Sequence, residues 1–248
     1  MESPYIFKRT ERKYLIDEVT KKRLLTRMKD QLIPDEYGKS TICSLYLDTP
    51  DFRIIRNSIE AVAYKEKLRL RSYGVPTEQS TVYLELKKKY QGVVYKRRVS
   101  LSLFEARAYL TCCKMPDSSQ IWQEIDYAMH FYGWPQPAMV ISYEREAYIW
   151  AEDTAFRVTF DSMPRARKNS LCLESGCAGM SLLPVGSELM EVKSDGAMPL
   201  AFSRLLNEMS ILPTSFSKYG AAYMRYCKVS EDRTEITAKG AMKHVSNL

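Results

Sequence analysis

Along much of this chain, charged residues alternate with apolar or small ones. This is the period-2 pattern of strands whose two faces differ. In the run YKEKLRLRS (64–72), Lys65, Lys67, Arg69 and Arg71 share one face while Leu68 and Leu70 take the other. Glu85 and Lys87 alternate in YLELKKK, Lys96 and Arg98 in VVYKRRVSL, and Tyr143 and Arg145 in VISYEREAY. Arg157 and Asp161 do so in FRVTFD, and Glu191 and Lys193 in LMEVKS. One such strand is explained by a sheet with a solvated face. Several strands with mostly basic rows are better explained by a sheet closed on itself with that face inward. Inward charges persist only when paired or solvated, so an excess of cations calls for an occupant carrying several negative charges.

The same patterning predicts the order of elements. Ile6 to Leu15 reads as a first strand with Glu11 and Lys13 on one face, and Asp17 caps a helix running to about Leu32. Thr41 to Leu47 alternates as a strand, stopped by Asp48-Thr49-Pro50, with a short helix from Phe52 to Ile59. Strands follow at about 62–73, 81–90 and 93–101, the last two joined through a turn containing Gly92. Residues 102–132 are helical in two pieces, broken at Met115-Pro116-Asp117. A hairpin at 138–150 and 155–161, a strand at 187–194, a helix from Pro199 to Met209 and a final helix from Ser217 complete the chain, and 163–186 has no clear periodicity. The reading is α+β: a closed antiparallel β-barrel of about eight strands forming a basic tunnel, with helices packed around it, over residues 1–227. The stretch 228–248 loses its apolar pattern and reads as a mobile tail.

Composition sharpens the expected partner. The 248 residues carry a formal net charge of +7, which calls for an acidic partner. The chain has no apolar run of membrane-spanning length, and MESPYIFKRTER is too polar for a secretory signal, so a cytoplasmic protein with no membrane association is expected. The six cysteines, including the adjacent Cys112 and Cys113, lack a metal-knuckle spacing and are read as reduced core thiols. Nucleic acid is not the expected partner, because the aromatic residues are spaced like a core rather than an exposed stacking platform. The only histidines, His130 and His244, lie far from the charged strands, which excludes Ser-His-Asp and Cys-His catalysis. No GxxxxGK[ST] loop or GxGxxG turn occurs.

In order, ERKYLI, KLRLRSYG, LELKKK, YKRRVSL, SYEREAY, RVTFD, LMEVKS and SKYGAAYMRY resemble the VTC family. This is the polyphosphate-polymerase domain of the vacuolar transporter chaperone complex, a branch of the triphosphate tunnel metalloenzymes. The resemblance runs from about Tyr5 to Tyr226. It implies a tunnel lined by Arg and Lys, Mn²⁺ or Mg²⁺ held by a carboxylate, and transfer of the ATP γ-phosphate to a growing polyphosphate chain. By motif position it assigns catalytic roles to Lys13, Arg69, Arg71, Lys87, Lys96, Arg145, Arg157, Lys193 and Lys218. It assigns phosphate contacts to Arg98, Tyr143 and Ser217, and the metal to Glu191. The hydrolytic branch of that superfamily uses E-x-E-x-K in the first strand, whereas Arg9 stands at the first glutamate position here, which fits the polymerase branch. The regulatory domain and membrane helices of eukaryotic members are missing from this sequence.

The chemistry agrees with the residue types. Transfer between phosphates needs charge neutralisation and in-line positioning more than a base, because the attacking oxygen is already ionised. Arginine forks grip phosphate oxygens and lysines add point charges. Glu11 and Glu85 are expected to hold tunnel cations in place. Asp161 suits either that role or the metal, and Tyr143 is either a phosphate donor or a core residue. A triphosphatase using the same cavity, and a noncatalytic module that binds polyanions, are the alternative functions.

Overall fold

The computed structural model describes residues 10–60, 63–91 and 93–226. Strand residues 6–9 with Arg9, the turn at Gly92, Cys227, and the segment 228–248 with His244 lie outside the described residues. The elements run β1 (Thr10–Asp17), α1 (Glu18–Arg27), β2 (Leu32–Asp48), α2 (Arg53–Ile59), β3 (Tyr64–Tyr73), β4 (Thr81–Tyr90) and β5 (Val93–Ser102). Then come α3 (Leu103–Cys112), α4 (Gln120–Phe131), β6 (Gln136–Trp150), β7 (Asp153–Arg167), β8 (Met180–Ser181), β9 (Ser187–Ser194), α5 (Leu200–Glu208) and β10 (Pro213–Thr214). A last helical segment, α6, covers 218–226.

The expected helix starts are made by side chains that satisfy free backbone N–H groups. Asp17 accepts from Thr20 N at 2.7 Å to open α1, and Ser102 and Glu105 form a reciprocal capping box on α3. The α1 helix ends at Arg27 rather than near Leu32, because the chain is already needed as strand from Leu32 onward. Strand β2 is accordingly longer than its alternation suggested, and an irregularity between Pro34 and Lys39 hides the period. The same masking affects β7, which continues to Arg167 past a register shift opposite Ser142 and Glu144.

The sheet is antiparallel and has ten strands in the order β10-β1-β9-β7-β6-β2-β3-β4-β5, with β8 paired to β7 alone. It therefore does not close into the expected barrel. Eight of its strands are long, and two are dipeptides. The physical reason for the open seam lies at its edges. Among the described residues, only Pro213–Thr214 stands outside β1, too short for a ladder and with one N–H missing, so it cannot pair with β5. Side chains bridge the seam instead: Lys87 on β4 donates to Glu11 on β1 at 3.2 Å.

Three apolar clusters fix the curvature. Leu68, Leu70, Leu84, Leu86, Trp122 and Ile125 pack the outer face of β2–β5 beneath α3 and α4. Tyr14, Phe156, Phe160, Met190, Phe202 and Leu24 bind α1 and α5 to β1, β7 and β9. The third cluster lies on the concave side, where Tyr219 and Ala222 of α6 pack on Tyr46, Met139, Ile141 and Tyr143. Helix α6 thus fills one end of the concavity. Cys43 belongs to the first core, but Cys112 and Cys113 are exposed at the end of α3, which corrects their reading as core thiols.

Asp48 ties two of these parts together. Its carboxylate accepts from Ile54 N at 2.9 Å and Ile55 N at 3.1 Å on α2, and from the Tyr219 hydroxyl at 2.8 Å on α6. Asp48→Ala leaves all three donors buried without this acceptor. We expect a loss of roughly 2–4 kcal/mol, read as a lower urea midpoint with an unchanged slope. An unchanged midpoint would show that α2 and α6 are held by packing alone.

Candidate functional site

Directly opposed residues in an antiparallel sheet share a face, so the register shows what looks inward. Ser44 and Tyr46 on β2 face Arg71 and Arg69 on β3, Arg69 faces Glu85 on β4, and Lys67 faces Lys87. On the other wall Lys13 faces Glu191, Glu11 faces Lys193, and Arg145 faces Asp161. Curling brings both walls and the start of α6 around a cavity of about 790 Å³. Eleven lysines and arginines line it, against three glutamates and no histidine. Several of these cations are paired with acids, yet the lining keeps an excess of positive charge.

Each wall is organised by a buried acid. Glu85 accepts from Arg69 at 2.8 and 2.7 Å and is reached by Lys96 at 2.8 Å. Burial alone would raise its pKa, but Arg69, Arg71 and Lys96 bring it to about 2. Asp161, fully buried, accepts from Arg145 at 2.6 and 2.7 Å and from Lys218. It is thereby committed to orienting two cations. Glu191 is held more loosely, with Arg145 and Lys218 at 3.5 Å, Lys13 at 3.7 Å and Lys193 at 3.8 Å. Burial works against its charge, but Lys218, Lys193, Lys13 and Arg145 keep it well below the usual carboxylate range.

Of the residues singled out from the sequence, Lys13, Arg69, Arg71, Lys87, Arg145, Lys193 and Lys218 line the cavity, as do Tyr143, Ser217 and Glu191. Ser217 opens α6, where its Oγ accepts from Gly220 N at 3.1 Å and from Lys67 Nζ at 2.9 Å. Lys96, Arg98 and Arg157 do not line the cavity. Lys96 and Arg98 share its face but stand on the edge strand β5. Arg98 lies 3.4 Å over the Tyr83 ring. Arg157 is engaged by Asp35 from the irregular part of β2. Lys67 and Tyr46 also line the cavity, though no role was assigned to either. For Lys67 the signal was present, since it sits in one row with Arg69 and Arg71.

No group of three or more His, Cys, Asp or Glu residues forms a metal cage among the described residues. The donors present do suit a hard cation that takes most of its ligands from phosphate and water, which needs only one or two carboxylates. Glu191 and Glu11 both stand beside Lys13, whose Nζ lies 3.7 Å from the first and 3.4 Å from the second, whereas the third lining glutamate, Glu66, accepts from the Tyr64 and Tyr132 hydroxyls.

Lys67 predicts a pH dependence. Burial, aided by Lys13, Lys87 and Arg69, lowers its pKa to about 8, below the value of a free lysine. Between pH 8 and about 10.5 the unfolded chain therefore binds more protons at this site than the folded one, so stability from this group rises with pH across that window. Cavity charge falls over the same window, so affinity for a polyanion should drop. In Lys67→Met both slopes should flatten, as measured by urea unfolding and by triphosphate titration from pH 7 to 10. Slopes equal to wild type would mean that Lys67 keeps its proton.

Comparison with known proteins is consistent with this geometry. No curated protein is similar in sequence. Among solved structures, a candidate adenylate cyclase from Bacillus halodurans superposes with a TM-score of 0.51 at 17% identity, over 84% of this chain and 92% of that one. A candidate adenylyl cyclase from Hippeastrum with a dominant triphosphatase activity gives 0.51 at 15% identity, with the same shares of 84% and 92%. At such identities the likeness shows a shared fold. No helix among the described residues is long and apolar enough to cross a membrane. A VTC domain model matches residues 8–226, an interval containing every strand and the α6 segment that build the cavity, and on that extent the chain belongs to the VTC domain family.

Proposed function

We propose that this protein is an ATP-dependent polyphosphate polymerase that transfers the γ-phosphate of ATP to the end of a polyphosphate chain held in the concave cavity. The observation that carries the reading is the lining: eleven cationic side chains against three glutamates, within a chain of the VTC family. Arg69, Arg71 and Arg145 present guanidinium groups already oriented by Glu85, Ser44 and Asp161, so little ordering remains to be done when phosphate arrives. Lys13, Lys67, Lys87, Lys193 and Lys218 neutralise the charge of adjacent phosphates, and Ser217 adds a hydroxyl at the start of α6. No proton acceptor is required, which agrees with a lining free of histidine. Mn²⁺ or Mg²⁺, held by Glu191 with Glu11 beside it, would supply further charge neutralisation at the transferring group. Lys96, Arg98 and Arg157 are outside the cavity lining and engage Glu85 and Asp35, so we read their roles as supporting those two acids.

Hydrolysis of triphosphate is the second reading, favoured by one observation. Glu11 and Glu191 stand on the same wall, where two carboxylates would suit a metal-activated water. Incubation with ATP and Mn²⁺, resolved on a gel for polyphosphate, separates the readings. Long phosphate chains are expected. Orthophosphate as the sole product would establish hydrolysis, and ATP left intact by a protein that still binds triphosphate would leave a polyanion-binding module.

A further inference from the structure

Among the groups lining the cavity, Tyr46 carries a buried hydroxyl whose hydrogen-bonding capacity is half used. Its ring is fixed: Tyr46 is 6% exposed and stacks on Tyr219 with centroids 4.4 Å apart and planes at 23°. Tyr219 is itself anchored through its hydroxyl to Asp48. The Tyr46 oxygen accepts from Arg69 Nη1 at 3.1 Å, while the other side of that guanidinium is occupied by Glu85. The hydroxyl proton has no acceptor among the described residues. Its neighbours on the cavity wall are Lys67, Arg69 and Arg71, all of them donors with nothing to offer a proton. A buried O–H facing only donors is satisfied by water or by an anion that accepts and does not donate.

We propose that the Tyr46 hydroxyl is a substrate-contacting donor that engages a non-bridging oxygen of a bound phosphate chain, held in that role by Arg69 and the Tyr219 ring. This rests on reading the cavity as the phosphate site and adds to it a neutral donor among charged ones. The arrangement favours a fully ionised, acceptor-only oxyanion over a ligand that must donate at this point. It also couples binding to the protonation of the phenol. Burial alone would raise the Tyr46 pKa, but Arg69, Lys67 and Arg71 bring it to about 8. A phenolate here would lose the bond and repel the anion. Glu85 reaches Tyr46 only through Arg69. From the other elements, Tyr143 on β6, Tyr219 on α6 and Asp48 beneath it complete the titratable surroundings.

The test is titration of inorganic tripolyphosphate at low salt into wild type, Tyr46→Phe, and a protein carrying 3-fluorotyrosine at position 46, each from pH 6.5 to 9.5. Phenylalanine keeps the stack on Tyr219 and removes only the hydroxyl, so the dissociation constant at pH 7 should rise about tenfold, as for a lost hydrogen bond to a charged group. Fluorotyrosine keeps both ring and hydroxyl, so it tests the role even if the phenylalanine protein folds poorly. Its more acidic phenol should move the alkaline loss of binding to lower pH, which a purely structural tyrosine would not do. Binding by Tyr46→Phe within twofold of wild type, or a fluorotyrosine profile that superposes on wild type, overturns the proposal and leaves the cavity reading intact. Absence of tripolyphosphate binding by the wild-type protein overturns both.

Discussion

Inorganic triphosphate at low ionic strength is expected to raise the melting temperature of this protein by about 5–10 °C, and rising salt to erode the shift. The empty cavity confines many like charges, and a polyanion that binds only the folded state stabilises it by mass action, about 2.7 kcal/mol at a hundredfold excess over Kd. For a domain of this size each kcal/mol moves the midpoint by roughly 2–4 °C. Salt weakens the effect less than it would on an open patch, because the walls exclude much of the screening solvent. Arg69→Ala should remove most of the ligand-induced shift, since Arg69 both lines the cavity and holds Tyr46. Arg157→Ala should leave the shift nearly whole while lowering the unliganded midpoint, because Arg157 serves Asp35 outside the cavity. Differential scanning fluorimetry with and without triphosphate measures all three. No shift in wild type, or equal shifts in wild type and Arg69→Ala, would remove the cavity as the functional site.

Glu191→Gln should abolish metal-dependent turnover, by about a hundredfold or more, while triphosphate still binds. The carboxylate is the cavity acid least tightly held by its neighbours, with its cations 3.5 to 3.8 Å away, and a neutral amide cannot hold a divalent cation in its place. The many cations of the lining would attract the polyanion in any case, more strongly once one negative charge is gone. The unliganded variant pays for this in stability, by roughly 3–5 kcal/mol, because Lys218, Lys193, Lys13 and Arg145 lose a shared buried counter-charge. Turnover, triphosphate affinity and urea midpoint should therefore move in three different ways. Wild-type turnover with Mn²⁺ would show that Glu191 is not the metal carboxylate.

The residues differ in how readily their places could be read from the chain. Arg69, Arg71, Lys87 and Lys193 stand in strands of eight to ten residues whose alternation is clean, Arg145 stands in the longer β6, and all of them face the cavity. Arg157 alternates just as cleanly with Thr159 and Asp161, yet an irregular stretch of β2 some 120 positions away supplies Asp35 and diverts it. Lys96 and Arg98 share the basic face but fall on the strand that the sheet leaves at its edge. Tyr46 was hidden for the opposite reason. Residues 42–48 of β2 are buried on both faces, so hydrophobicity there carries no period to separate Tyr46 from the core. Helix α6 was foreseen as a helix, but nothing local to it says that Tyr219 and Ala222 enter the concavity.

The sequence by itself determined which residues share a face, because that depends on a two-residue period set by backbone geometry and needs no knowledge of the neighbours. It also determined the excess of positive charge on that face, and hence the kind of ligand we propose for it. Closure was decided only by the tertiary structure. Whether a basic face becomes a sealed barrel or an open curl depends on whether the two ends of the sheet can exchange hydrogen bonds. Here a two-residue strand beginning with Pro213 stands at one end and β5 at the other, and a Lys87–Glu11 ion pair spans the seam. The same long-range curvature selects which of the basic residues enclose the cavity and which remain on its rim, since enclosure depends on where distant strands arrive and not on the alternation within any one of them.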